Sequence, residues 1–175
     1  MGMASKKTQD NPDITMENET RLVWQLKSFD DLSNEELYGL LALRSEVFVV
    51  EQACAYPDLD GKDQQSLHLM AWRDDALLAY ARLLPPGLSY DTASIGRIVT
   101  CRAARSTGLG RLLLRRALTA VAEVFGQGAI TISAQAHLEK FYGEFGFGRQ
   151  GAPYLEDGIP HIKMISLGLP AGNLG

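Results

Sequence analysis

Apolar and polar residues alternate along Arg21–Lys27 (RLVWQLK), with Leu22, Trp24 and Leu26 on one side, and this period of two predicts a strand. Ser33 followed by Glu36 forms a capping box. From there Leu37, Leu40, Leu41, Val47 and Phe48 recur at helical spacing and predict an amphipathic helix over 34–50. Residues 51–66 mix Pro, Gly, Asp and Gln, which is loop chemistry. Leu67–Trp72 and Ala76–Leu84 flank Arg73-Asp74-Asp75 and predict a hairpin closed by Pro85-Pro86-Gly87. Thr92–Thr100, with Ile95, Ile98 and Val99, predicts a central strand.

Gly108–Phe125 carries a broad apolar stripe through Leu109, Leu113, Ala117 and Val121 and predicts a helix. A short buried strand at Ala129–Ser133 and a short helix at Leu138–Phe145, closed by Gly146, follow. Arg149–Tyr154 and His161–Ile165 read as a last strand pair around Glu156-Asp157-Gly158. The order β-α-β-β-β-α-β-α-β-β predicts an α+β (α/β) domain, a mixed sheet flanked by helices. Residues 1–20 hold few large apolar side chains and read as a disordered tail, leaving 21–175 as one domain.

Composition narrows the classes. Lys and Arg number 17 against 21 Asp and Glu, a formal charge of −4, which argues against a nucleic-acid binder. Cys54 and Cys101 are isolated and only three histidines are present, so neither a disulfide framework nor a metal site is expected. There is no apolar run long enough for a membrane span and no signal-like leader, so the expected compartment is the cytoplasm. The charge is uneven, however. No acid occurs between Asp91 and Glu123, a stretch holding Arg97, Arg102, Arg105, Arg111, Arg115 and Arg116. Within it, Arg105-Ser106-Thr107-Gly108-Leu109-Gly110 leads from strand to helix. Glycines permit close approach, and a helix N-terminus offers free N–H groups, a setting for phosphate.

Arg105-x-x-Gly108-x-Gly110 after a strand resembles the coenzyme-A-binding motif of the GCN5-related N-acetyltransferases (GNATs). Tyr142-x-x-x-Gly146-Phe147 is similar to a second motif of that family. Leu43-Arg44, Val47–Gln52, Tyr56–Gly61, Ala134–Leu138 and Glu156–His161 carry a narrower resemblance to its ElaA-like members, and the whole spans roughly residues 21–167. The resemblance implies a mostly antiparallel sheet of about six or seven strands with about three or four helices. It implies acetyl-CoA as co-substrate, with pyrophosphate on the amides of Arg105, Ser106, Thr107, Gly108, Leu109, Gly110 and Arg111. The pantetheine arm would lie along Ile98, Val99 and Thr100, one of whose N–H groups polarises the thioester carbonyl. Gln135 stands where many members carry Asn beside the cofactor, and Tyr142 would serve the leaving thiol.

Amine acetylation also needs a base and an acceptor pocket. His161 and Glu51 are the candidate bases. Arg44 and Glu51, seven residues apart on one helical face, together with Asp60 and His68, are candidate substrate-binding residues. The acids Glu51, Asp58, Asp60 and Asp63 suit a cationic amine, either a small molecule or a peptide. Exposed edges at Trp24 and Tyr154 would be compatible with a homodimer. Arg44, Phe48 and Glu51 also resemble the N-terminal helix of acyl-homoserine-lactone synthases, the alternative enzyme reading, for which an acyl-carrier-protein donor is expected. A non-catalytic acyl-CoA-binding module is the alternative outside enzymes.

Overall fold

The computed structural model describes residues 22–167. The tail expected over 1–20 lies outside them. Eight strands form one sheet: β1 Val23–Ser28, β2 Leu67–Arg73, β3 Ala76–Leu84, β4 Ala93–Thr100, β5 Ile130–Gln135, β6 Gly148–Arg149, β7 Tyr154–Glu156 and β8 Ile159–Ser166. Three α-helices accompany it: α1 Asn34–Arg44, α2 Leu109–Phe125 and α3 Glu139–Gly143. The strand order is β1-β2-β3-β4-β5-β8-β6, with β7 also paired to β8. All pairings are antiparallel except β4 with β5. This is the expected class, a mixed and mostly antiparallel sheet.

Alternation along the strands sorts their side chains onto two faces. Leu69 and Ala71 of β2 with Ala79, Ala81 and Leu83 of β3 join the core under α2. Met70 and Tyr80, one position out of phase, join Leu40 and Val47 beneath α1. Helix α2 buries Leu109, Leu113, Leu114, Ala117, Leu118 and Val121, the stripe its periodicity predicts. Ser33 caps α1 with the full reciprocal box: its hydroxyl accepts from Glu36 N at 3.1 Å and its own N–H donates to Glu36 at 2.9 Å.

Two expectations need correction. The helix over 34–50 is α-helical only to Arg44; Ser45–Glu51 continues as a π-helix, with Gln52 N donating to Val47 O at 3.3 Å. The strand expected at Arg149–Tyr154 is two short pieces, β6 and β7, separated by Gly151 at φ +80. Trp24 lies on the edge strand β1 and Tyr154 is exposed on β7. Arg116 lies 4.7 Å above the Trp24 ring, and the Tyr154 hydroxyl bonds Ser133.

Candidate active site

Two irregularities in β4 open the sheet. Tyr80 pairs with Val99 while Arg82 pairs with Gly96, so Arg97 and Ile98 both stand opposite Ala81. This is a β-bulge, with Arg97 in the left-handed region at φ +51. The extra residue reverses the alternation. Ala93 and Ile95 point to the α2 side, but beyond the bulge Ile98 takes that side and Val99 the other. In addition, β4 and β5 pair only at Ala93–Ile130 and Ser94–Thr131. Beyond Ser94 the strands part, and the edge of β4 facing β5 has no ladder partner. A cleft of about 970 Å³ occupies the gap, lined among others by Ile98, Val99, Thr100, Gln135, Tyr142 and His161.

The loop after β4 meets one end of this cleft. Ser106 at φ +62 and Gly108 at φ +89 coil it so that the chain enters α2 with Gly108 as N-cap. Arg111 N and Leu112 N both donate to Gly108 O, at 3.0 and 3.1 Å. None of the amides of Ser106, Thr107, Gly108, Leu109 or Gly110 donates to an acceptor among the described residues. Five consecutive free N–H groups at a helix N-terminus form an anion nest. A Cβ on Gly108 would meet nothing within 4 Å, so the constraint there is backbone conformation; a Cβ on Gly110 would make only an ordinary contact, 3.9 Å from Thr100 Cγ2.

Tyr142 stands in the wall of the cleft. Its ring packs edge-on against Phe141 at 5.2 Å and Phe147 at 6.1 Å. Gly146, at φ +83, turns the chain so that Phe145 N and Phe147 N both reach Tyr142 O, at 3.0 and 3.3 Å. The hydroxyl has no partner among the described residues, and burial pushes its pKa up to about 12.

On β8, His161 Nδ1 lies 2.8 Å from Ile159 O. A carbonyl only accepts, so Nδ1 carries the proton and the neutral ring keeps its lone pair on Nε2. The ring stacks on Tyr154 at 6.2 Å. Opposite it in the ladder, Gln135 donates to Gln52 at 3.1 Å. Sequence reasoning missed the neighbouring Ser133 and the role of Glu156. Ser133 donates to Glu156 at 2.8 Å and also bonds Tyr154, orienting the carboxylate at the cleft mouth. The glycine beside Glu156 signalled a turn, but nothing local signalled Ser133 beneath it.

The acceptor-side expectations change most. His68 is fully buried and has no free nitrogen: Nε2 donates to Asp63 O at 3.0 Å and Nδ1 accepts from the Tyr80 hydroxyl at 2.8 Å. Burial keeps it neutral by lowering its pKa, and no substrate reaches it. Arg44 is likewise fully buried and pairs with Asp58 at 2.7 Å and Asp63 at 2.8 Å, not with Glu51. The π-helix explains this: its wider turns carry more residues per revolution, so Glu51 no longer lies over Arg44. Glu51 instead pairs with Arg105 at 2.7 Å, bracing the anion loop against the π-helix. Asp60 borders the cleft but is taken by Arg82 at 2.6 Å. The acids after α1 are thus neutralised by arginines.

The fold and the paired motifs define an acyl-transfer protein, and the chain belongs to the GNAT acetyltransferase family: the profile of the Acetyltransferase (GNAT) domain matches residues 29–167. Within that family it is ElaA-like. Protein ElaA of Escherichia coli is 41% identical over 143 residues, covering 81% of this chain and 94% of ElaA. The crystal structure of an acyl-CoA N-acyltransferase from Pseudomonas aeruginosa superposes with TM-score 0.80 at 50% identity, covering 83% of this chain and 99% of that one. A CoA-dependent acyl-homoserine lactone synthase, BjaI, shares the fold alone, with TM-score 0.70 at 16% identity over 86% of this chain and 84% of its own. Its dependence on CoA corrects the expectation that such synthases are set apart by an acyl-carrier-protein donor.

Proposed function

We propose that the protein transfers an acetyl group from acetyl-CoA to a primary amine by direct attack in a ternary complex. The observation that carries this reading is the single cleft between β4 and β5. Arg105, whose loop carries the free amides, borders it, and His161 and Tyr142 line it. Acetyl-CoA, when bound, supplies an acyl thioester. The Ser106–Gly110 amides hold its pyrophosphate, and the open edge of β4 from Ile98 to Thr100 holds the pantetheine arm. A bulge N–H donates to the thioester oxygen as negative charge develops there. Nε2 of His161 takes the proton from the amine as its nitrogen bonds the carbonyl carbon. As the carbon–sulfur bond breaks, the Tyr142 hydroxyl donates a hydrogen bond to the sulfur that receives the electron pair.

Glu156 and Asp157 line the acceptor end of the cleft and have no ion-pair partner within 4.0 Å among the described residues. They take over the amine-attracting role expected of Asp58, Asp60 and Asp63. This favours a cationic amine, whether a small molecule or a lysine-like peptide side chain.

The direct test is acetyl-CoA consumption across polyamines, amino acids, aminoglycosides and peptides. Turnover with one of these amines is the expected result; an acyl-homoserine product without acetyl-CoA turnover would replace this reading. With the accepted amine, His161→Gln is expected to lower kcat/KM about 10²-fold. An unchanged kcat/KM would move the base elsewhere.

Gly108→Trp is expected to weaken CoA binding at least about 100-fold by calorimetry. The side chain would occupy the anion nest, and a non-glycine residue at φ +89 also costs about 1–2 kcal/mol. Unchanged affinity would remove the loop from the CoA site.

A further inference from the structure

Beside the cleft, which Asp60, Arg82 and Arg97 border, three arginines and three aspartates form a closed circuit of alternating charge. Arg44 bonds Asp58 and Asp63, at 2.7 and 2.8 Å. Asp63 also meets Arg82 at 2.8 Å, Arg82 meets Asp60 at 2.6 Å, Asp60 meets Arg97 at 3.6 Å, and Arg97 returns to Asp58 at 2.7 Å. The members come from α1, the loop after it, β3 and β4, so the circuit ties four parts of the fold together. Asp58 is its pivot. Arg44 and Arg97 each donate through Nε to one of its carboxylate oxygens, at 2.7 Å apiece, and through Nη2 to its carbonyl, at 3.2 and 3.0 Å.

Arg97 is also the residue that holds the β4 bulge in the left-handed region, at φ +51. An L-residue other than Gly, Asn or Asp rarely adopts that conformation unless its surroundings over-determine it. Its side chain supplies the over-determination. It is fixed at both ends of the guanidinium by Asp58, and it lies 5.9 Å from the centre of the Tyr56 ring. The next residue, Ile98, is the first past the bulge and begins the open edge of β4.

We infer that Arg97, clamped by Asp58, is a positioning residue that aims the bulge N–H at the thioester carbonyl. This rests on the acyl-CoA placement proposed above. Arg97 borders the cleft, but its guanidinium is committed to Asp58 and Asp60, so its part is to hold the strand. It also joins the acceptor-side loop carrying Tyr56 to the group that polarises the donor, so one contact aligns both halves of the cleft.

The test uses Arg97→Gly, because glycine adopts the same φ without strain and removes only the clamp. The readout is the infrared carbonyl stretch of [1-¹³C]acetyl-CoA bound to the whole chain, which reports polarisation of the thioester without any acceptor. In the wild type the band is expected at lower frequency than for free acetyl-CoA. In Arg97→Gly it is expected to return towards the free value, with the acetyl-CoA Kd changed less than about threefold and kcat lowered about tenfold or more. Arg97→Lys is expected to fall between the two. Asp58→Asn, which leaves Arg97 in place and weakens the clamp, is expected to shift the band in the same direction and serves if Arg97→Gly fails to fold. A wild-type-like band in the folded variants would overturn the inference. Failure of the wild type to bind acetyl-CoA would instead overturn the reading on which it rests.

Discussion

Arg44→Ala is expected to lower the free energy of unfolding by about 3–5 kcal/mol, enough to unfold a marginal domain. Arg44 is fully buried, its guanidinium donates to Asp58 and Asp63, and its charge lies 5.9 Å from the Tyr80 ring centre. Alanine would leave two carboxylates in low dielectric with one arginine fewer, and the desolvation already incurred would go uncompensated. The pH dependence gives a second readout. Burial alone would raise the Asp63 carboxyl, but hydrogen bonds from Arg44 and Arg82 outweigh it and hold the pKa below its ordinary value. Asp60 is lowered in the same way, by Arg82 against its own burial. A carboxylate with a depressed folded pKa contributes stability that is complete above its unfolded pKa, about 3.9, and is lost as pH falls. Wild-type stability should therefore decline in acid below about pH 5. In Arg44→Ala the decline should be shallower, because Asp63 has lost one of its two arginines. Urea titrations at several pH values check both points. An Arg44→Ala loss under about 1 kcal/mol would show that the circuit contributes little to stability.

The same circuit shows where sequence reading stops. The apolar face of α1 was legible because helical period is local, and Arg44 stood out as a charge inside that face. Its partners were not legible. Asp58 and Asp63 are 14 and 19 residues away in the chain, and only the sheet brings Arg82 and Arg97 beside them. In the sequence, Arg97 belongs to a run of arginines suited to phosphate. In the fold it sits behind the bulge on Asp58, Arg105 is tied to Glu51, Arg111 pairs with Glu144, and Arg116 stacks on Trp24. What the loop presents at the N-terminus of α2 is free backbone N–H, which composition cannot register. Gly108 was readable because a strand, a glycine and an apolar helix lie adjacent, and the need for φ > 0 is local.

The bulge was hidden for a related reason. Ile95, Ile98 and Val99 read equally well as one continuous strand, because the inserted residue changes which face each takes and leaves their apolar character alone. Likewise β6 and β7 merged into one expected strand. Their breaks come from pairing with β8, a register that no window of ten residues contains. The π-turn at Ser45–Glu51 has the same consequence. A pattern with helical spacing fixed the path of the chain, but the wider turn redirected Glu51 from Arg44 to Arg105.

Tyr142→Phe is expected to lower kcat about 10²-fold while leaving CoA affinity and fold stability nearly unchanged. The ring supplies the packing against Phe141 and Phe147, and phenylalanine keeps it. Only the hydroxyl is lost, and it has no protein partner among the described residues to leave unsatisfied. Its role follows from magnitude. Burial lifts its pKa to about 12. Outright transfer of its proton to a thiolate with an ordinary value near 8.5 is about 5 kcal/mol uphill. In the proposed mechanism the group therefore acts as a fixed hydrogen-bond donor to the sulfur as charge collects there, and it remains protonated throughout the working pH range. Two consequences separate this from a packing role. The variant's pH–rate profile should keep its shape and fall in height, because Tyr142 does not titrate within it. Acyl thioesters with a more acidic leaving thiol should lose less than acetyl-CoA, because their sulfur needs less stabilisation. Equal losses across leaving groups, or parallel losses in kcat and CoA affinity, would assign Tyr142 to the wall of the cleft instead.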